Sequence, residues 1–357
     1  MMKENKGVGP NLKTYYYYTN EMAEREDAIG TVVIATGMEG TGALYDEIGE
    51  YLDSKGYALY AIDEWGYGKT GAVAKDVHKN WKKKCFYYAS YNIHSLCVFA
   101  KNQHKDVPLY LLGNDFGAML SLNVLKEFPD NIIDKVVTIG WGTPRGQDYG
   151  FLCASWLKKI FLYDSSVANL AHHSKNKRFA FRFGLREKFA WLTSDEEQLK
   201  KIKDAGYVDE PGTIGHYYYY FLNKIKVPYF FKSKAYKKMN KDISMLFVSG
   251  KDDLLTIHGR TTKALSRFYK RKGFANAETL ILEGRHELLF EKNRLSCIDQ
   301  IISWMNGEKI IEQKINKEEN TSNTDAEIKD VVDEEVKVEL VGYTTEINLN
   351  DIKEKMA

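Results

Sequence analysis

The chain of 357 residues has little cysteine: four residues, Cys85, Cys97, Cys153 and Cys297, none in C-x-x-C spacing. That excludes a disulfide framework, and a chain of this length needs no covalent staple. Reduced thiols in a cytoplasmic protein are the expectation. Net charge is also nearly absent, with 51 Lys and Arg against 49 Asp and Glu, a balance of +2. No field of that size directs the chain to nucleic acid or to an anionic membrane. No uninterrupted apolar run approaches the ~18 residues of a membrane span. The opening MMKENKGVGPNLKTYYYY lacks the apolar core of a signal peptide, so neither export nor an integral membrane segment is expected. No internal repeat is found.

What is present is an alternation. From Gly30, TVVIATGMEGTGALYDEIGEYLDSKGYALYAIDEWGYGKTG places two short apolar runs, Thr31 to Ala35 and Tyr57 to Ile62, on either side of an amphipathic segment, Leu44 to Lys55. This is a βαβ unit, and short continuous apolar strands between helices predict a parallel sheet covered on both faces. A helix before Pro108, a strand at Leu109 and another at KVVTIGWG continue the pattern. Between about Thr143 and Lys241 it lapses into aromatic and basic segments such as FAFRFGLREKFAWL and GHYYYYFLNKIKVPYFF, which predict an inserted, mainly helical cap. It resumes with ISMLFVSG, RTTKALSRFYKRKG, AETLILEG and LSCIDQIISWMN.

The expected organisation is an N-terminal segment (1–24), a core in two parts (25–142 and 242–306) around the cap (143–241), and a charged tail (307–357). The tail is too polar to order itself throughout, although EVKVELVGYTTEINL alternates as a small hairpin would. Tyr15 to Tyr18 predict an edge strand with one buried face. Tyr217 to Tyr220 predict cap packing, with hydroxyls able to donate into a pocket below.

Within PLYLLGNDFGAML an apolar strand runs through Gly113-Asn114-Asp115-Phe116-Gly117 into a helix pattern. The pattern G-x-S-x-G at such a junction is the nucleophile elbow of α/β-hydrolases, with Asp115 here at its centre. Chain order in that fold is nucleophile, acid, histidine, each at the C-terminal end of a strand, where ligand sites of parallel sheets gather. MLFVSGKDDLL supplies Asp252 and Asp253 past a late strand, and TLILEGRHELL supplies His286 past the last one. His78, His94, His104, His172, His173, His216 and His258 show no metal-ligand spacing. Neither a metal nor an organic cofactor is expected.

The segments GMEGTGALYDEIGEYLDSKGYALYAIDEWGYGKTG, LYLLGNDFGAMLSL, FAWLTSDEEQLKKI, FVSGKDDLL and GRHELLFEKNR together resemble the monoacylglycerol lipase and lysophospholipase family of α/β-hydrolases, over roughly residues 25 to 306. The resemblance implies hydrolysis of acyl esters by a serine, aspartate and histidine. It puts Asp115 at the serine, Asp253 at the acid by the family's Gly-x-x-Asp spacing, and His286 at the base. It also implies an oxyanion hole of the Met38 and Phe116 backbone N–H groups. The family's H-G appears as Thr36-Gly37, its G-H-S-x-G as Gly113 to Gly117, and its D-x-R-G-H-G as Asp63 to Gly68. The histidines are replaced while the glycines that set the backbone remain.

Carboxylate attack on an acyl ester would give a mixed anhydride, an uphill intermediate. A carboxylate can instead displace a leaving group at saturated carbon, after which His286, held by Asp253, activates water against the Asp115 ester. Epoxide hydrolases and haloalkane dehalogenases of this fold follow that logic. Three readings therefore stand: a lysophospholipase-like hydrolase of small apolar or lipid-like esters; an aspartate-nucleophile hydrolase; and a catalytically silent relative that binds a lipid or a protein. Asn114, Tyr217 and Tyr218 are the substrate-pocket candidates.

Overall fold

The computed structural model describes residues 1–37, 41–65, 67–73, 85–144, 179, 181–187, 189–205 and 236–308. The chain divides into two units, Met1–Ile310 and Ile311–Ala357. The second, with nearly all of the expected tail, lies outside the described residues, as do most of the expected cap and Tyr217 to Tyr220.

The first unit has the α/β-hydrolase fold. Eight strands form one sheet in the order β1-β2-β4-β3-β5-β6-β7-β8. They are β1 (Lys3–Val8), β2 (Thr14–Thr19), β3 (Gly30–Ala35), β4 (Tyr57–Ile62), β5 (Leu109–Asn114), β6 (Lys135–Ile139), β7 (Ser244–Gly250) and β8 (Ala277–Leu282). From β4 to β8 every pairing is parallel, whereas β1 and β2 form an antiparallel hairpin that joins β4 antiparallel. Residues 1–24 thus contribute two strands to the sheet. The tyrosine run departs from the edge-strand expectation, because β1 takes the edge and β2 lies one place inward. β1 reads KENKGV, with no apolar alternation to betray it. Its Lys and Glu side chains suit an edge that must not recruit another chain.

Alternate residues of the central strands feed two separate cores. Val33, Ala35, Leu109, Leu111, Met245 and Phe247 join one. Val32, Ile34, Tyr110, Leu112, Leu246 and Val248 join the other. A period of two on a fully buried strand sends successive side chains to opposite faces, so both faces need a helical cover. Helices α3 (Cys85–Gln103), α4 (Phe116–Glu127) and α6 (Arg260–Arg271) contribute to the first core, through residues such as Ile93, Leu120 and Leu265. Helices α1 (Asp46–Ser54), α5 (Glu196–Asp204) and α7 (Arg294–Met305) contribute Ile48, Ile202 and Ile301 to the second. A short helix, α2 (Gly68–Val73), follows β4. No helix among the described residues is long and apolar enough to cross a membrane.

Past the end of β2, the buried amide of Asn20 continues the pairing with β4. Its Oδ1 accepts from the Leu59 N–H at 2.9 Å, and its Nδ2 donates to the carbonyls of Tyr57 and Gly49 at 2.9 and 3.2 Å. Asn20→Ala leaves those backbone groups buried without their partner and is expected to cost about 1–3 kcal/mol, read as a lowered urea midpoint. Asn20→Asp keeps the acceptor but faces two carbonyls with a carboxylate, and should cost at least as much. An unchanged midpoint in both variants would contradict the bridging role.

Candidate active site

β5 ends at Asn114 and α4 begins at Phe116, so Asp115 alone makes the turn, with φ 44° and ψ −108°. A side chain held there is strained by about 1–3 kcal/mol, which the surrounding structure must offset. The Asp115 N–H donates to the Ile139 carbonyl at 2.9 Å, and the Asp115 carbonyl accepts from Ala118 N–H at 3.2 Å. The flanking glycines answer to close approach. A Cβ on Gly113 would lie 2.5 Å from the Ala118 Cα, and one on Gly117 would lie 2.0 Å from the Ala35 carbonyl oxygen. The first turn of α4 therefore rests directly on the end of β3.

The other two strand-end loops converge on this turn. His286 follows β8, with Nε2 3.2 Å from Asp115 Oδ1 and Nδ1 3.0 Å from Asp253 Oδ2. Asp253 follows β7 and is fixed on both oxygens. Oδ1 accepts from the Leu255 and Thr256 N–H groups at 2.7 and 3.2 Å, and Oδ2 also accepts from the Ser249 hydroxyl at 3.4 Å. Of the two adjacent aspartates, Asp253 is buried and faces the imidazole while Asp252 is exposed. Gly140, at φ +71°, leaves the space the ring occupies, since a Cβ there would sit 2.9 Å from His286 Cε1. The Trp191 ring flanks the imidazole at 5.2 Å.

Burial alone pulls the pKa of His286 down. The carboxylate of Asp253, the hydrogen bonds to Asp115 and Asp253, and the charge of Glu287 outweigh it and hold the pKa well above the usual histidine value. The ring thus faces a carboxyl group on each nitrogen, Asp253 on Nδ1 and Asp115 on Nε2. Glu287 is the residue sequence reasoning missed. Its Oε1 lies 3.8 Å from His286 Nε2, and it is buried. The sequence shows only an acidic residue directly before the apolar run Leu288-Leu289-Phe290. The donor atoms of Asp115, His286 and Glu287 lie within 4.8 Å of one another, a spacing that a divalent cation could bridge.

Asn114 lies buried beneath the turn, its amide nitrogen donating to the Glu287 carboxylate and to the Tyr45 hydroxyl. Phe116 opens α4, where the backbone N–H groups of a first turn point out of the helix. Met38, Tyr217 and Tyr218 lie outside the described residues. The buried carboxylate of Asp63 ties the loop after β3 to the start of α2, accepting from Gly42 N–H at 2.8 Å and Lys69 N–H at 2.7 Å. Burial pushes its pKa up, partly countered by these hydrogen bonds. Gly68 is held at φ +50°, where a Cβ would lie 2.4 Å from Asp63 Oδ2.

A match to the family described as serine aminopeptidase, S33, spans residues 26–293. A comparison with curated protein sequences finds no match. Among solved structures, a thermostable carboxyl esterase from Bacillus coagulans is 17% identical at a TM-score of 0.71, over 86% of this chain and 98% of its own. A monoglyceride lipase from Saccharomyces cerevisiae is 14% identical at 0.60, over 86% and 95%. An epoxide hydrolase from Vigna radiata is 16% identical at 0.53, over 86% and 98%. At these identities the likeness is one of fold.

Gly117→Ala forces a methyl into the Ala35 carbonyl and is expected to cost about 3 kcal/mol or more, read by urea denaturation. Gly273→Ala, at φ +91° with nothing near its Cβ position, bears backbone strain without the collision and should cost about 1 kcal/mol. Equal losses in the two variants would deny the close approach of α4 to β3.

Proposed function

The chain belongs to the serine aminopeptidase S33 family, and from that premise we propose that it is a hydrolase of small apolar or lipid-like substrates in which Asp115, at the position of the family's serine, is the nucleophile. One observation carries the proposal: Asp115, His286 and Asp253 form a continuous buried relay, with contacts of 3.2 and 3.0 Å. A protein that only binds has no chemical need of an acid and a base in register with a strained carboxylate.

The chemistry follows from the charges. An Asp115 oxygen attacks a saturated carbon, as in an epoxide or alkyl halide, and the bond to the leaving group breaks with its electron pair. The product is an ester of Asp115, which no longer carries a negative charge. Losing that partner lowers the imidazolium pKa, so His286 passes its proton to the alkoxide of an opened epoxide, or to solvent where a halide leaves, and becomes the base for the second step. Water then attacks the Asp115 carbonyl carbon while the first turn of α4 faces the oxygen on which charge develops.

A second reading keeps acyl esters as substrates, with Asp115 and His286 activating water directly. The elbow geometry favours it, because Gly113, Gly117 and the positive φ are what an elbow serine would also need. Asp115→Ser separates the two: gain of activity on short p-nitrophenyl esters supports an ester pocket.

The direct test is the intact mass of His286→Ala after incubation with epoxides, alkyl halides and activated esters. Without the base the second step stops, so an adduct on Asp115 should accumulate. Absence of any adduct, with native turnover retained, favours direct water activation. No adduct and no turnover, with ligand-induced thermal stabilisation, favours a binding protein. Dialysis against EDTA should leave turnover unchanged. Loss restored by a divalent cation would make Asp115 a ligand of that cation rather than a nucleophile.

A further inference from the structure

We propose that Glu287 is a positioning residue of the hydrolytic half-reaction, holding the attacking water at His286 Nε2 once Asp115 has been alkylated. The inference rests on the nucleophile reading above and adds a residue and a step to it. Its basis is that two carboxylates address one imidazole nitrogen: Asp115 Oδ1 at 3.2 Å and Glu287 Oε1 at 3.8 Å. The nearer is consumed by the first step, since an esterified Asp115 offers a neutral oxygen. The farther is not consumed.

The separation of 3.8 Å suits a bridging water. One water can donate to both acceptors, since two hydrogen bonds of about 2.8 Å close a triangle on that base. A water so held lies beside the Asp115 carboxyl, whose oxygen is itself 3.2 Å from Nε2. In the step, the water oxygen bonds to Asp115 Cγ, one proton passes to Nε2, and the other points to Glu287. Collapse breaks the bond between Cγ and the alkoxide oxygen, and the alkoxide leaves with the proton from Nε2. The proton remaining on the new carboxyl passes to His286 and restores the resting ion pair. Through the transfer, the Glu287 charge favours the imidazolium that forms.

Glu287 is built to stay in place. Asn114, the residue before the nucleophile, donates from Nδ2 to Glu287 Oε2 and also to the Tyr45 hydroxyl. The Tyr45 ring packs edge-on against Phe290 at 5.1 Å. The Glu287 N–H donates to the Leu192 carbonyl at 2.8 Å, and its carbonyl accepts from Phe290 N–H at 2.9 Å. The end of β5 therefore sets the nucleophile directly and, through Asn114, the carboxylate that serves the second step.

The test uses the epoxide or alkyl halide that labels His286→Ala. Because kcat/KM ends with irreversible alkylation while kcat includes hydrolysis, Glu287→Gln should lower kcat about tenfold or more and leave kcat/KM within about twofold. The same variant should accumulate the Asp115 ester at steady state, read by acid quench and mass. Asn114→Ser, which retains Glu287 and removes its anchor, should show the same split at smaller size and serves if Gln at 287 does not fold. An unchanged kcat, or kcat and kcat/KM falling together, overturns the role of Glu287. Failure of His286→Ala to take any label overturns the nucleophile reading itself, which is a separate result.

Discussion

The turn at Asp115 is the constraint on which the site depends. A side chain at φ 44° between a buried strand and a buried helix persists because β3, β6 and α4 leave it no alternative. That overdetermination comes from packing between backbones. Gly117 lets α4 rest on the Ala35 carbonyl, and the Asp115 N–H is taken by β6. The strain directs the carboxylate out of the strand end, where loops from β7 and β8 arrive by the register of the sheet. Asp253 and His286 need only be in the correct loop, because parallel pairing of β6, β7 and β8 aligns their C-terminal ends.

The central fold was legible because its signals are local. Six parallel strands read as short apolar runs, and the glycines of the elbow read as positions where no side chain fits. Asp115, Asp253 and His286 were expected together from chain order, and the structure brings their side chains within 3.2 and 3.0 Å of one another. β1 was not legible: KENKGV has strand pairing but no apolar face. It is recognisable only once β2 exists to pair with it, as Lys3 does with Thr19 and Val8 with Thr14. Glu287 was missed for a related reason. Its meaning depends on Asn114, 173 residues before it, and on Tyr45, 69 residues before Asn114, and no spacing rule connects them.

Under the proposed mechanism, in which Asp115 is the nucleophile, the altered residues around the site bear on one another. A serine needs a base at rest. A carboxylate needs none to attack. The base is required only afterwards, when esterification has removed the charge that kept His286 protonated. The proposed cycle would carry its own switch, since forming the intermediate creates the group that destroys it. Buried Asp253 holds the ring orientation through both states, because its bonds to the Leu255 and Thr256 N–H groups are independent of what occupies Asp115.

Glu287 completes this logic from the opposite side. Under the proposal, alkylation removes one of the two carboxylates near Nε2 at the moment when an imidazolium must form again. Under the proposal, the Glu287 carboxylate, 3.8 Å from Nε2, is the farther partner at rest and the remaining one after alkylation. Its anchor is Asn114, which replaces the histidine of the family pattern with an amide that has two fixed donors and no charge to titrate. A histidine there would change protonation alongside His286. An amide leaves the proton inventory of the reaction to the imidazole alone.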